Sequence, residues 1–129
     1  MPRREKSYHN YTALHPDELQ SCIHKAALQL LRKTALSERQ YKSVFGADKL
    51  TIAFAWKLTL GVSTYDDFPL PKHMLWAMMF LKQYVSEDNL SIQAGVTPKT
   101  LRKHICSVLT KLVNNYDGIV SCLHFTFFL

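Results

Sequence analysis

The sequence predicts an all-α fold of about six helices, whose C-terminal half is a tri-helical helix-turn-helix unit. Three observations carry this expectation. Apolar residues recur at helical spacing through every long segment, short polar residues (Ser37, Asp48, Ser86, Thr97) stand where helices would be capped, and Gly46, Gly61 and Gly95 stand where they would end. The composition of the 129 residues, 47% hydrophobic and 20% charged, is that of one globular domain. A chain of this size can bury roughly two-thirds of its unfolded surface in a single core.

The first helix is predicted from "HPDELQSCIHKAALQLLRK", where Pro16 suits the first turn and Asp17 and Glu18 favour the positive end of the helix dipole. Leu19, Ile23, Ala26, Ala27 and Leu30 give it one apolar face. Ser37 with Gln40 is a capping box opening the second helix, and Leu36 with Tyr41 has the spacing of a hydrophobic staple. Gly46 ends that helix. Asp48 then caps a third, whose Ala53, Trp56 and Leu60 face inward before Gly61, so that the second and third helices read as a hairpin.

Val62 to Lys72, with Pro69 and Pro71, has no helical period and reads as a linker, Pro71 suiting the first turn of the fourth helix. That helix, from Met74 to Val85, is apolar nearly all round and is expected to be the hub of the fold. A short fifth helix follows Ser86 and closes at Gly95; Thr97 and Pro98 start a sixth, striped by Leu101, Ile105, Val108 and Leu112. The domain limits read as a basic arm over 1–14, a helical domain over 15–115 with the helix-turn-helix over 74–113, and an apolar tail over 116–129.

Sixteen Lys and Arg against ten Asp and Glu give a formal charge of +6, which suits a phosphate-bearing partner. Three cysteines without a CxxC pair argue against a disulfide framework. His104, Cys106, Cys122 and His124 are spaced by one residue within each pair, which throws the two members to opposite sides of a helix, so no metal site is expected. No apolar run follows the basic N-terminus, and "MLWAMMFL" is far short of the ~20 residues that cross a bilayer. Neither a secretory signal nor a membrane anchor is expected. Asp66 and Asp67 are neighbours whose side chains diverge, unlike the convergent carboxylates of a two-metal centre. With no Gly-x-Ser-x-Gly or P-loop present, no catalytic residue and no cofactor are expected.

The chemistry-bearing stretch is "SEDNLSIQAGVTPKTLRKHI". Gly95 supplies the corner, Val96 the apolar residue after it and Thr97 the cap of the second helix, the arrangement a helix-turn-helix needs. Lys103 stands about 200° round the last helix from Leu101, with Lys99, Thr100 and Ser107 nearby and Arg102 on the flank. This face carries no acid of its own. A helix so furnished can lie in a major groove. Arg3 and Arg4 on the N-terminal arm are candidates for further backbone contacts.

The segment from Leu75 to Ile105 resembles the helical N-terminal region of PIF/Harbinger-like transposases of the DDE superfamily. In that family a Leu-Trp-Ala and Phe-Leu-Lys helix precedes a Glu-containing short helix and a Lys-Thr-Phe-Arg-Lys-Trp run. Leu75, Trp76, Ala77, Phe80, Leu81, Lys82, Glu87, Leu90, Lys99, Thr100, Leu101, Arg102 and Lys103 match here, and upstream Phe45, Gly46 and Trp56 match a second pair of family motifs. The likeness runs from Phe45 to Leu112, with His104 where the family has Trp and Cys106 where an aromatic is common. The family's catalytic Asp/Asp/Glu residues have no counterpart in this sequence.

What the resemblance implies is sequence-directed binding of double-stranded DNA without catalysis, by a truncated or remnant transposase product. It further implies a nuclear location if the chain derives from a transposon and a cytoplasmic one otherwise, with a second copy or a full-length transposase as additional partner. The alternative, from a different class, is a helical protein-interaction module using Ile92 and the apolar tail, with no role for nucleic acid.

Overall fold

In a computed structural model, the structure describes residues 11, 13–64, 67–83 and 86–114. Among them the fold is all-α, with six helices: α1 (Pro16–Leu31), α2 (Glu38–Phe45), α3 (Lys49–Gly61), α4 (Pro71–Gln83), α5 (Glu87–Ala94) and α6 (Pro98–Asn114). A lone antiparallel bridge joins Thr64 to Asp67 in the loop before α4. Arg3, Arg4, Asp66, Cys122, His124 and the tail lie outside the described residues.

The helix starts follow from local chemistry. Pro16 opens α1 with Asp17 and Glu18 behind it, and the helix buries Leu19, Ile23, Ala27 and Leu30. The capping box of α2 is closed in both directions: Ser37 Oγ accepts the Gln40 N–H at 3.2 Å, and Gln40 Oε1 accepts the Ser37 N–H at 2.8 Å. Asp48 Oδ1 caps α3 by accepting the Thr51 N–H at 2.8 Å. Gly46 ends α2 in the left-handed region at φ 80°.

Two expectations need correction. Gly61 does not stop α3 as a left-handed cap; it is the last helical residue, and the chain leaves through 3₁₀-like bonds from the Val62 N–H to Thr59 O and from the Ser63 N–H to Leu60 O. Nor do α2 and α3 pack as a hairpin. Successive in the chain, they diverge in space: α2 lies chiefly on α4, and α3 chiefly on α1. The reason is where the bulk sits. Tyr41 and Phe45 are the residues α2 buries, while Ile52, Ala53, Ala55, Trp56, Thr59 and Leu60 bury much of the girth of α3.

Helix α4 is the hub the sequence predicts. It touches each of the other five helices, and its residues from His73 to Met79 are all buried. Trp76 is 2% exposed and Trp56 fully buried, so both tryptophans anchor the core. Trp56 Nε1–H also donates to Pro69 O at 2.9 Å, which fixes the end of the linker against α3. At the other side of the core the Tyr41 hydroxyl meets His24 Nδ1 at 2.6 Å, and burial pushes the phenol up to about 12. No buried side-chain polar atom among the described residues lacks a partner.

Candidate nucleic-acid interface

The corner between α5 and α6 forms by the devices its residues imply. Ser86 Oγ accepts the Asn89 N–H at 3.2 Å to start α5. At its end Gly95 takes φ 76°, ψ 28°, its N–H bonds back to Ser91 O at 2.9 Å, and the Val96 N–H reaches the same carbonyl at 3.1 Å. Ser91 is 3% exposed, its hydroxyl donating to Asp88 O, so a small side chain stands where the helices come together. Thr97 Oγ1 then accepts the Thr100 N–H at 3.2 Å and α6 begins at Pro98.

With Leu101, Ile105, Val108 and Leu112 all buried against α4 and its neighbours, the opposite side of α6 faces out. Lys99, Thr100, Arg102 and Lys103 are exposed there, and Ser107 is half-buried. Their freedom differs. Lys99 and Lys103 make no ion pair among the described residues. Arg102 is engaged: its Nε and Nη2 reach the Glu87 carboxylate from 2.6 to 3.2 Å, a bidentate bridge from α6 back to the first turn of α5. The hydrogen bond from Arg102 holds the Glu87 carboxyl below its usual range and raises the guanidinium in return. The acid-free face read from the sequence thus receives an acid from the adjoining helix. Thr100 Oγ1 accepts from the Thr97 hydroxyl at 2.9 Å, completing the corner.

Two further features escape sequence reasoning. Lys111, counted from the sequence among the C-terminal cations, is only 8% exposed, and its Nζ donates to Asp67 O at 2.7 Å and to Ser107 Oγ at 3.2 Å, with Asp67 Oδ2 at 3.4 Å. It ties the linker to α6. That contact also turns Ser107 toward Lys111, leaving Lys99, Thr100, Arg102 and Lys103 as the cluster on the outer face. The second feature is a stack of two imidazoles, His73 of α4 on His104 of α6, with centroids 3.8 Å apart and planes 10° from parallel. The Trp76 ring lies edge-on to His104 at 5.9 Å. His73 Nδ1 accepts the Leu70 N–H at 3.1 Å and so caps α4 from inside.

Cys22 and Cys106 are free thiols, and no group of three or more His, Cys, Asp or Glu among the described residues is placed to hold a metal ion. No described helix is long and apolar enough to cross a membrane. No protein-family model, curated protein or solved structure matches the chain.

Proposed function

We propose that the chain binds duplex DNA without cleaving it, through a helix-turn-helix made of α5, the Gly95 corner and α6 and carried on α4. The observation that supports this most is the division of α6 between a fully buried apolar stripe and an outer face on which Lys99 and Lys103 stand exposed and without an ion pair. In a major groove the first turn of such a helix meets base edges, which assigns Lys99 and Thr100 to base contacts and Lys103 to the backbone or bases a turn later. Arg102 is a positioning residue in this scheme, since its bridge to Glu87 fixes the angle between the two helices. The transposase-like origin, a nuclear location and pairing with a further copy or a full-length transposase rest on the sequence resemblance from Phe45 to Leu112.

A second possibility has its own observation: Ile92 is 76% exposed on α5 and Val113 is 68% exposed on α6, apolar surface that a protein partner would cover. Salt separates the two. Phosphate contacts release counterions, so binding of duplex should fall linearly on a log–log plot by roughly 0.9 per contact. A plot that stays flat from low to high salt, or no binding of duplex at all, would remove the DNA proposal.

A further inference from the structure

Besides the outer face of α6, a second cationic surface runs between α1 and α4. Two adjoining pockets, of about 260 and 270 Å³, share Ala26, Gln29 and Lys72 in their walls and so form one furrow. Its charged residues are Lys25, Arg32 and Lys72, all exposed, and no carboxylate lines either part. At the Cys22 end, burial pushes the Cys22 thiol up, with Lys25 drawing it down and Glu18 raising it further. At the opposite end the wall is Gln93, Ala94 and Gly95, the corner that leads into α6.

The cations are spaced along the furrow. Lys25 and Arg32 stand about two turns apart on α1, roughly 10 Å. Lys72 is drawn over the Trp76 ring at 5.8 Å, in the first turn of α4, where the helix dipole adds positive potential. Arg32 is the one non-glycine among the described residues with positive φ, at φ 54°, ψ 46°. A helix C-cap of that shape favours Gly, and the chain keeps a guanidinium there instead.

We propose that this furrow is a second contact for a phosphodiester backbone, which crosses the Gly95 corner from the outer face of α6 and runs between α1 and α4 over Lys25, Arg32 and Lys72. Its occupant is a phosphodiester rather than an acidic peptide because the furrow opens at the corner that the proposed DNA site already uses. Three cations over this length also suit a strand that carries one charge per roughly 3.4 Å of helix axis. The inference rests on the proposed function, and its test separates the two.

The full-length chain carrying Lys25→Gln, Arg32→Gln and Lys72→Gln is compared with wild type and with a control triple, Lys42→Gln, Lys57→Gln and Lys82→Gln, on duplex DNA across a salt series by fluorescence anisotropy. The furrow variant should flatten the log–log salt slope by roughly 2.7 in total and leave discrimination between preferred and scrambled duplexes intact, while the control changes it by less than one contact's worth. Arg32→Gly separates binding from folding: it should melt at the wild-type temperature or above, since it relaxes the left-handed backbone, and still lose its share of the slope. Duplex binding with an unchanged slope in the furrow variant, or an equal change in the control, overturns the furrow and leaves α6 as the DNA site. If wild type binds no duplex but binds a single-stranded oligonucleotide, and the furrow variant does not, the furrow stands and the α6 assignment falls. Binding of neither nucleic acid, or preference for polyglutamate over both, overturns the furrow.

Discussion

Helices α4 and α6 bury apolar surface in opposite ways. In α4 every residue from His73 to Met79 is buried, so the middle of the helix is core and is shared among all five other helices. In α6 a single stripe is buried and the remaining girth carries cations to solvent. The buried middle of α4 leaves only its ends, with Lys72 at one and Lys82 at the other, open to solvent, whereas a helix with a single buried stripe keeps a rigid, oriented outer face along its length. The contrast teaches where an extended binding face can reside in so small a domain: along an edge helix held in place by the hub, with the hub itself contributing only from its ends.

Substitution in the hub should produce the largest effect. Trp76→Ala empties a site that is 2% exposed and should cost about 3–5 kcal/mol, measured by urea unfolding, with loss of the cooperative melt near physiological temperature. Lys99→Ala on the outer face of α6 should stay within about 0.5 kcal/mol of wild type in the same assay. Equal losses would erase the distinction between hub and edge.

Next in size is Lys111, the one α6 cation that behaves like a core residue. Lys111→Met retains the buried stem and removes the charge-assisted bond to Asp67 O, for an expected loss of about 1.5–3 kcal/mol. Thermal melts of Lys111→Met and Lys103→Met decide whether the two lysines differ as their burial implies.

The glycines give a smaller pair of opposite sign. A Cβ on Gly95 meets nothing within 4 Å, so Gly95→Ala is opposed only by its φ of 76° and should lose about 1–2 kcal/mol. Gly61, also open around its Cβ but helical, should gain about 0.4–1 kcal/mol when changed to Ala. Differential scanning calorimetry of both variants checks the signs.

These expectations divide by sequence range. The caps at Ser37, Asp48, Ser86 and Thr97 were legible because each bond spans three residues, within reach of local pattern. So was the stripe of α6, since burial on one side imposes the helical period. What was not legible lies across the fold. The Glu87–Arg102 bridge spans 15 residues and the Lys111–Asp67 bond 44, and nothing in the local pattern of either partner announces the other. The hairpin failed for the same reason: a short loop makes α2 and α3 successive without deciding which faces meet.

Smaller still in stability, but informative about binding, is Glu87. Its carboxyl titrates below the usual range, so whatever the bridge contributes is present above that range and disappears as acid protonates Glu87. Glu87→Gln should leave the melt nearly unchanged, because the bridge is exposed, and should lower discrimination between preferred and scrambled duplexes as Arg102→Ala does, since both lose the same bridge. Unchanged discrimination with a salt slope steeper by roughly 0.9 would mean that Glu87 masks a cation rather than ordering the interface.

The most direct measurement is duplex binding by the α6 face variants, followed by fluorescence anisotropy on preferred and scrambled sequences over a range of salt. Lys103→Ala should flatten the slope by roughly 0.9 and weaken both duplexes alike, while Lys99→Ala should cost about 1–3 kcal/mol on the preferred duplex and little on the scrambled one. Arg102→Ala should lower discrimination as well, through loss of its bridge to Glu87. Duplex affinity that none of the three substitutions alters would contradict the assignment of the outer face of α6 as the DNA site.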